Sequence, residues 1–190
     1  MTQAKPAEWY DMVYSAAAAY RKPYYTSPYY PGWLVLAARI HRAGVESVID
    51  LGCGPGQFAC LMRDQGMKQY TGIDFSGICI KRARTVCPAY TFIQDDLTDS
   101  RYLKMLKYDA VVICEFLEHI DDDLTILANI PRGAWIYATV PDFMCKGHVR
   151  CFHDVGEVAN RYGHFMDDFN ILTARTGNRQ RLFIFSGVRK

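Results

Sequence analysis

The sequence has no long hydrophobic run: nothing in its 190 residues approaches the roughly 20 apolar residues needed to span a membrane. The opening Met1-Thr2-Gln3-Ala4-Lys5-Pro6 lacks the apolar core of a signal peptide. The alanine run from Ala16 to Ala19 is too short to supply one and stands between Tyr14 and Tyr20. Net charge is also scarce, at +2. The strong phosphate field on which nucleic-acid binders depend is therefore missing, although a local patch is compatible with it. Paired cysteine spacing is absent. The seven cysteines are odd in number and scattered, which argues against a disulfide framework and for reduced thiols in the cytoplasm. There are no repeats and no low-complexity linker.

Half of the residues are apolar, and the length suits one domain with a proper core. Three parts follow in order: a helical, tyrosine-rich leader (1–45), a core of alternating strands and helices (46–141), and a loop, short helix and closing hairpin (142–190). Strands are read at Val48–Leu51, Tyr70–Asp74, Tyr90–Leu97, Tyr108–Cys114 and Ala134–Val140. Tyr108–Cys114 is nearly all apolar, as expected of a strand buried on both faces. Ser76 suits the N-cap of a helix that Pro88 stops, and Gly66 suits a left-handed helix end. Runs on either side of Gly177-Asn178 predict a hairpin. This alternation predicts an α/β fold with a parallel sheet. The ligand site is expected outside the carboxyl ends of the strands, near the first and fourth, where strand order reverses.

The most informative segment is Val48-Ile49-Asp50-Leu51-Gly52-Cys53-Gly54-Pro55-Gly56. An apolar strand enters a tight glycine turn that lets a ligand touch the backbone, and a helix begins at Gln57. A dinucleotide-binding turn spaces its glycines G-x-G-x-x-G. Here the third glycine comes one residue early, and Pro55 removes an N–H donor. The turn therefore suits an uncharged thioether or a sulfonium arm better than a diphosphate. Asp74, at the end of the second strand, can accept hydrogen bonds from two ribose hydroxyls.

Asp50–Gly56, Gly72-Ile73-Asp74, Asp96-Leu97, Tyr108–His119 and Gly133–Pro141 together resemble the class I S-adenosylmethionine-dependent methyltransferases of the small-molecule branch, over about residues 46–141. The resemblance implies a Rossmann-like, doubly wound, mostly parallel seven-stranded sheet with a C-terminal antiparallel hairpin and a helical N-terminal lid. It implies S-adenosylmethionine as cofactor and S-adenosylhomocysteine as product. By position, Gly52, Cys53, Gly54 and Gly56 would line the methionine arm, with Asp50 behind its amino-acid end. Asp74 would bind the ribose and Phe75 would pack on the adenine. Asp96 would accept from the adenine amino group, with Leu97 at the ring edge. Cys114 joins the cofactor-binding positions. Asp95 reads as a solvated neighbour of Asp96.

A sulfonium already activates its methyl group, so the protein chiefly aligns the attack, worth at best about 7–11 kcal/mol. A base that removes the acceptor proton adds about 10²–10⁴ in rate. His119 is the leading candidate, with Glu115 and His148 in the same catalytic set. Glu115 and His119 stand four apart and would share one face of a helix. The string Glu115-Phe116-Leu117-Glu118-His119 has two further readings. It can be a helix N-terminus whose acids complement the dipole. It can also be part of a divalent-metal site, which needs downstream ligands, and His148 and His153 are available. Cys145, His148, Cys151 and His153 lack the paired spacing of structural zinc, so no metal is assigned. His148, Arg150 and His153 are read as facing the acceptor, Arg150 holding an anionic group.

The aromatic leader supplies Tyr10 and Tyr14 as acceptor-binding candidates, since phenols suit sugar or aromatic acceptors. The expected activity is methyl transfer to an oxygen or nitrogen of a small polar metabolite, such as a sugar or natural-product precursor. Nucleic acid and membrane are not expected as partners, and a homo-oligomer stays open. One alternative is an RNA or nucleotide methyltransferase assisted by a divalent metal on Glu115, Glu118 and His119. Another is a non-catalytic cofactor-binding module. The fourth strand does not end in an Asn- or Asp-Pro-Pro-aromatic string, which disfavours amino methylation of DNA bases.

Overall fold

Strand residues alternate between two apolar cores, one on each face of a single sheet; the computed structural model describes residues 3–97 and 101–190. The strands are β1 (Ser47–Leu51), β2 (Gln69–Asp74), β3 (Thr91–Gln94), β4 (Ala110–Cys114), β5 (Trp135–Pro141), β6 (Met166–Arg175) and β7 (Arg181–Arg189). Their order is β3-β2-β1-β4-β5-β7-β6. The first five pair in parallel, and β7 runs antiparallel to both β5 and β6. Val48, Val112, Tyr137 and Ile184 face one core, where α2 (Tyr30–Arg42), α3 (Gln57–Asp64) and α4 (Gly77–Val86) pack. Ile49, Val111, Ile136 and Phe185 face the other, covered by α5 (Tyr102–Met105), α6 (Asp123–Asn129) and α7 (Val155–Tyr162). Strands buried on both faces cannot alternate with polar residues, which is why their sequences run almost continuously apolar.

The ends of these elements bring the site together. Asp50 is level with Gly72 of β2 and Val112 of β4, so the carboxyl ends of three strands reach one edge. Strand order reverses between β1 and β4, as expected. Ser76 Oγ accepts from the Cys79 N–H at 3.1 Å and caps α4 at that edge. The leader crosses the same edge. Its first helix, α1 (Ala7–Ala16), packs on α4, and Asp11 Oδ1 receives the Ser76 hydroxyl. At the closing hairpin the left-handed residue is Arg179, with φ 65°. Gly177 instead allows close approach to the leader, donating to the Pro28 carbonyl at 2.7 Å. No helix among the described residues is long and apolar enough to cross a membrane.

Candidate functional site

Two cavities open at the carboxyl edge and share the Gly52 turn. The first, of about 590 Å³, lies over β2 and β3 and is lined by Asp74, Phe75, Asp96 and Leu97, with Lys5 and Pro6 of the leader above. Gly52 and Gly54 have φ of 74° and 53°, which residues with a Cβ rarely adopt. A Cβ on Gly52 would also collide with the Phe116 ring. Asp74 is buried and accepts from the N–H groups of Gly54 and Ser76, each at 2.9 Å. Burial pushes its carboxyl up to about 6, against those two donors. Tyr10 of α1 leans on Phe75, with ring centroids 5.3 Å apart.

The second cavity, of about 450 Å³, lies between the ends of β1 and β4 and the leader. Its floor includes Asp50, Cys53, Gly54, Cys114 and Glu115, its far wall Glu118, His119 and His148, and its roof Tyr14, Tyr20, Tyr29 and Trp33. Glu115 has φ 47°, a conformation a glutamate keeps only where its surroundings hold it. Thr139 Oγ1 donates to its carboxylate at 2.5 Å and Trp33 Nε1 donates at 3.2 Å. Burial pushes Glu115 up to about 7. Asp50 is likewise pushed up to about 7 by burial. One of its oxygens receives the Tyr70 hydroxyl, and the other, Oδ1, has no partner among the described residues.

Glu118 is fully buried, neither of its carboxylate oxygens has a hydrogen-bond partner among the described residues, and burial pushes its carboxyl well above the usual range. His119 Nδ1 lies 2.9 Å from the Gly147 carbonyl and 2.9 Å from the Tyr10 hydroxyl. Burial lowers His119 to about 4 and lowers His148 as well, so both rings are neutral near pH 7. Glu118, His119 and His148 present ligand atoms within 4.8 Å of one another and could hold a metal ion.

Several sequence expectations need correction. Glu115 and His119 do not share a helix face, because the chain after β4 makes a left-handed residue and a short 3₁₀ turn (Leu117–His119). They reach the cavity from different walls. Arg150 lines neither cavity. It donates to the carbonyls of Ile120 (2.5 Å), Asp121 (2.9 Å) and Leu117, and pairs with buried Asp123 at 3.2 Å. Both terminal nitrogens are therefore engaged in holding that turn and in pairing with Asp123. His153 is exposed and lines neither cavity; its backbone N–H bonds Glu157 and its carbonyl accepts from Arg181. Gly56 lines neither cavity either. Its φ of 86° and the closeness of Ala83, 3.0 Å from an added Cβ, make it a helix-packing glycine. Tyr10 touches His119, and Tyr14 lines the second cavity. Trp33 and Thr139, which grip Glu115, escape sequence reasoning: Trp33 stands 82 residues away in chain order, with no motif around it.

A family model described as "Methyltransferase domain" matches residues 29–176. Trans-aconitate 2-methyltransferase of Escherichia coli (strain K12 / DH10B) is 40% identical over 113 residues, 56% of this chain and 44% of that enzyme. The chain thus spans less than half the length of this relative. The N-methyltransferase NodS of Bradyrhizobium japonicum WM9, solved with S-adenosyl-L-homocysteine, superposes with a TM-score of 0.72 at 15% identity, over 97% of this chain and 99% of that one. Magnesium protoporphyrin IX methyltransferase of Synechocystis PCC 6803, solved with S-adenosylmethionine, gives 0.68 at 18% identity over 100% of both chains. The [4+2]-cyclase SpnF also gives 0.72, at 12% identity over 100% of this chain and 98% of its own. Such likenesses establish the fold and not the reaction. The family match runs from the leader through the glycine turn and the entire parallel sheet, and on that ground the chain belongs to the class I S-adenosylmethionine-dependent methyltransferase family.

Proposed function

We propose that the chain transfers a methyl group from S-adenosylmethionine to an oxygen or nitrogen of a small polar metabolite held in the second cavity. The observation that carries this reading is Asp50 Oδ1, a buried carboxylate oxygen without a partner among the described residues, at the glycine turn where the two cavities meet. A cationic amino-acid group placed there would relieve it, and a nucleoside fits the first cavity beside Asp74, Phe75, Asp96 and Leu97. When bound, the cofactor supplies a methyl group activated by its sulfonium. The protein's own residues orient the acceptor and take its proton.

Glu115 is better suited to that proton than His119, the leading candidate from the sequence. A carboxyl pushed up to about 7 is poised near neutral pH, whereas an imidazole lowered to about 4 is a weak base. The cavity also bears on the acceptor. Lys22 is its sole Lys or Arg among the described lining residues, set against Asp50, Glu115 and Glu118. Hydroxyl-bearing or amine-bearing acceptors suit this wall, and a tricarboxylate does not.

Thermal unfolding with S-adenosylmethionine, S-adenosylhomocysteine or NAD, each alone, tests the cofactor. A ligand at a hundred times its Kd stabilises by about 2.7 kcal/mol. Shifts with the two sulfur ligands and none with NAD are expected; a shift with NAD alone overturns the reading. A screen of sugars, phenols and amines with methyl-labelled cofactor then tests the activity. Tight cofactor binding with no acceptor labelled would instead support a non-catalytic module.

A further inference from the structure

Tyr70 of β2 carries a hydroxyl that its place in the core does not call for. The residue is 3% exposed; its ring stacks on Tyr90 with centroids 5.1 Å apart, and Phe92 flanks it at 6.3 Å. A phenylalanine would pack there equally well and leave no polar group to satisfy. The hydroxyl donates to Asp50 Oδ2. Burial and the nearby Asp50 charge push the phenol well above its ordinary range, so it stays protonated and is the donor. The sheet register makes the contact. Tyr70 is level with Val48 and Gly72 with Asp50, and residues two apart on a strand share a face. Gly72 has no side chain to occupy the corner beside Asp50; an added Cβ would meet Cys53 Sγ and the Phe92 ring, each at 2.8 Å.

The charges that bear on Asp50 are of one sign. Asp74 at the end of β2 and Glu115 after β4 are both acids, and the thiols of Cys53 and Cys114 lie beside it. Lys22 lines the same cavity, with Tyr14, Tyr20 and Tyr29. Tyr70 is nevertheless the sole hydrogen-bond donor to Asp50 among the described residues. A donor to a carboxylate favours its charged form. The same bond occupies one oxygen, which leaves Oδ1 as the oxygen offered to a ligand.

We propose that Tyr70 is a positioning residue for the cofactor, which through Asp50 keeps a carboxylate ionised and aims its Oδ1 at the ammonium of the cofactor's amino-acid end. This assignment rests on the reading of Asp50 given above. It makes capture of the amino-acid end depend on one proton. Burial pushes Asp50 up to about 7, and below that value the neutral carboxyl has no charge to offer. Binding of the ammonium therefore tightens as pH rises through about 7 and then levels. Without the Tyr70 hydroxyl the ionised form loses its donor, and the midpoint moves to higher pH. A ligand without an amino-acid end feels neither change.

Calorimetric titration between about pH 6 and about pH 8 tests this, with S-adenosylhomocysteine and with 5′-methylthioadenosine, which keeps the nucleoside and thioether and lacks the amino-acid end. The ratio of the two affinities removes the titration of Asp74, which both ligands meet. In the parent, S-adenosylhomocysteine is expected to lose about ten-fold against 5′-methylthioadenosine at the acid end of that range. Tyr70→Phe should move the midpoint up by about one unit and weaken S-adenosylhomocysteine about ten-fold near neutral pH, with 5′-methylthioadenosine unchanged. Asp50→Asn should abolish the slope, and Glu115→Gln should keep it. Equal loss of both ligands in Tyr70→Phe, or a pH curve like the parent's, assigns Tyr70 to packing alone and overturns the proposal. A slope that survives Asp50→Asn overturns it as well. If the parent binds both ligands in a ratio that pH does not change, the proposal falls and the cofactor reading stands. If the parent binds neither, both fall.

Discussion

Glu115 and His119 lie on one short segment after β4, and burial moves them in opposite directions, the carboxyl up to about 7 and the imidazole down to about 4. In both cases desolvation penalises the charged form. In the proposed reaction Glu115 acts as the base in its deprotonated form, so kcat/KM is expected to rise as pH increases through about 7 and then level. Glu115→Gln should lower kcat by about 10²–10⁴ and abolish that rise, leaving the S-adenosylhomocysteine shift intact. Steady-state pH profiles of both proteins check this. Asp74→Ala belongs to the same scale. It removes a lining carboxylate and leaves the Gly54 and Ser76 N–H groups without their acceptor, so the cofactor shift should vanish and stability fall by about 1–3 kcal/mol. The place of Asp74 at the carboxyl edge was readable because it ends an apolar run on the strand that pairs beside the glycine turn. Arg150 was not: an arginine near two histidines reads the same whether it meets a substrate or three carbonyls.

At the scale of elements, the parallel strands were legible because each is a short apolar run that stops at a polar or glycine residue. The segment after β4 was not. Its acids and histidine suggest a helix, but burial of Leu117 and Glu118 and the donors of Arg150 pull the chain into a 3₁₀ turn. That turn depends on a contact about thirty residues distant in sequence, and local propensity does not register it. Arg150→Ala should therefore destabilise the fold by about 2 kcal/mol, since Asp123 keeps Arg161 and the Tyr162 hydroxyl as partners. Urea unfolding measures this, and the cofactor shift should remain. A large loss of acceptor affinity with unchanged stability would restore Arg150 to the binding surface.

Taken as a whole molecule, the fold class followed from the alternation of strands and helices, which admits few topologies. The placement of the leader did not follow. Its tyrosines read as a packing face, an acceptor wall or a base-stacking surface with equal ease, and only tertiary contact shows Tyr14, Tyr20, Tyr29 and Trp33 roofing one cavity. The charge distribution bears on the RNA alternative. A net charge of +2, with Asp50, Glu115 and Glu118 at the cavity, offers little to a phosphate backbone. Filter binding with single-stranded RNA at low and moderate salt is expected to show no tight, salt-sensitive complex. Steep salt dependence would revive the RNA reading.

The backbone at position 115 has a consequence for inheritance. Its φ of 47° is a conformation that glycine adopts freely and glutamate does not. The side chain also keeps an ionisable group out of water. Glu115→Gly relaxes both strains and takes the acceptor from Thr139 Oγ1 and Trp33 Nε1, so its melting temperature is expected to stay within a few degrees of the parent's while turnover collapses. Calorimetry beside an activity assay reads the two outcomes separately. A lineage screened for heat resistance alone would then have little reason to keep glutamate here, whereas one screened for turnover would be expected to keep it.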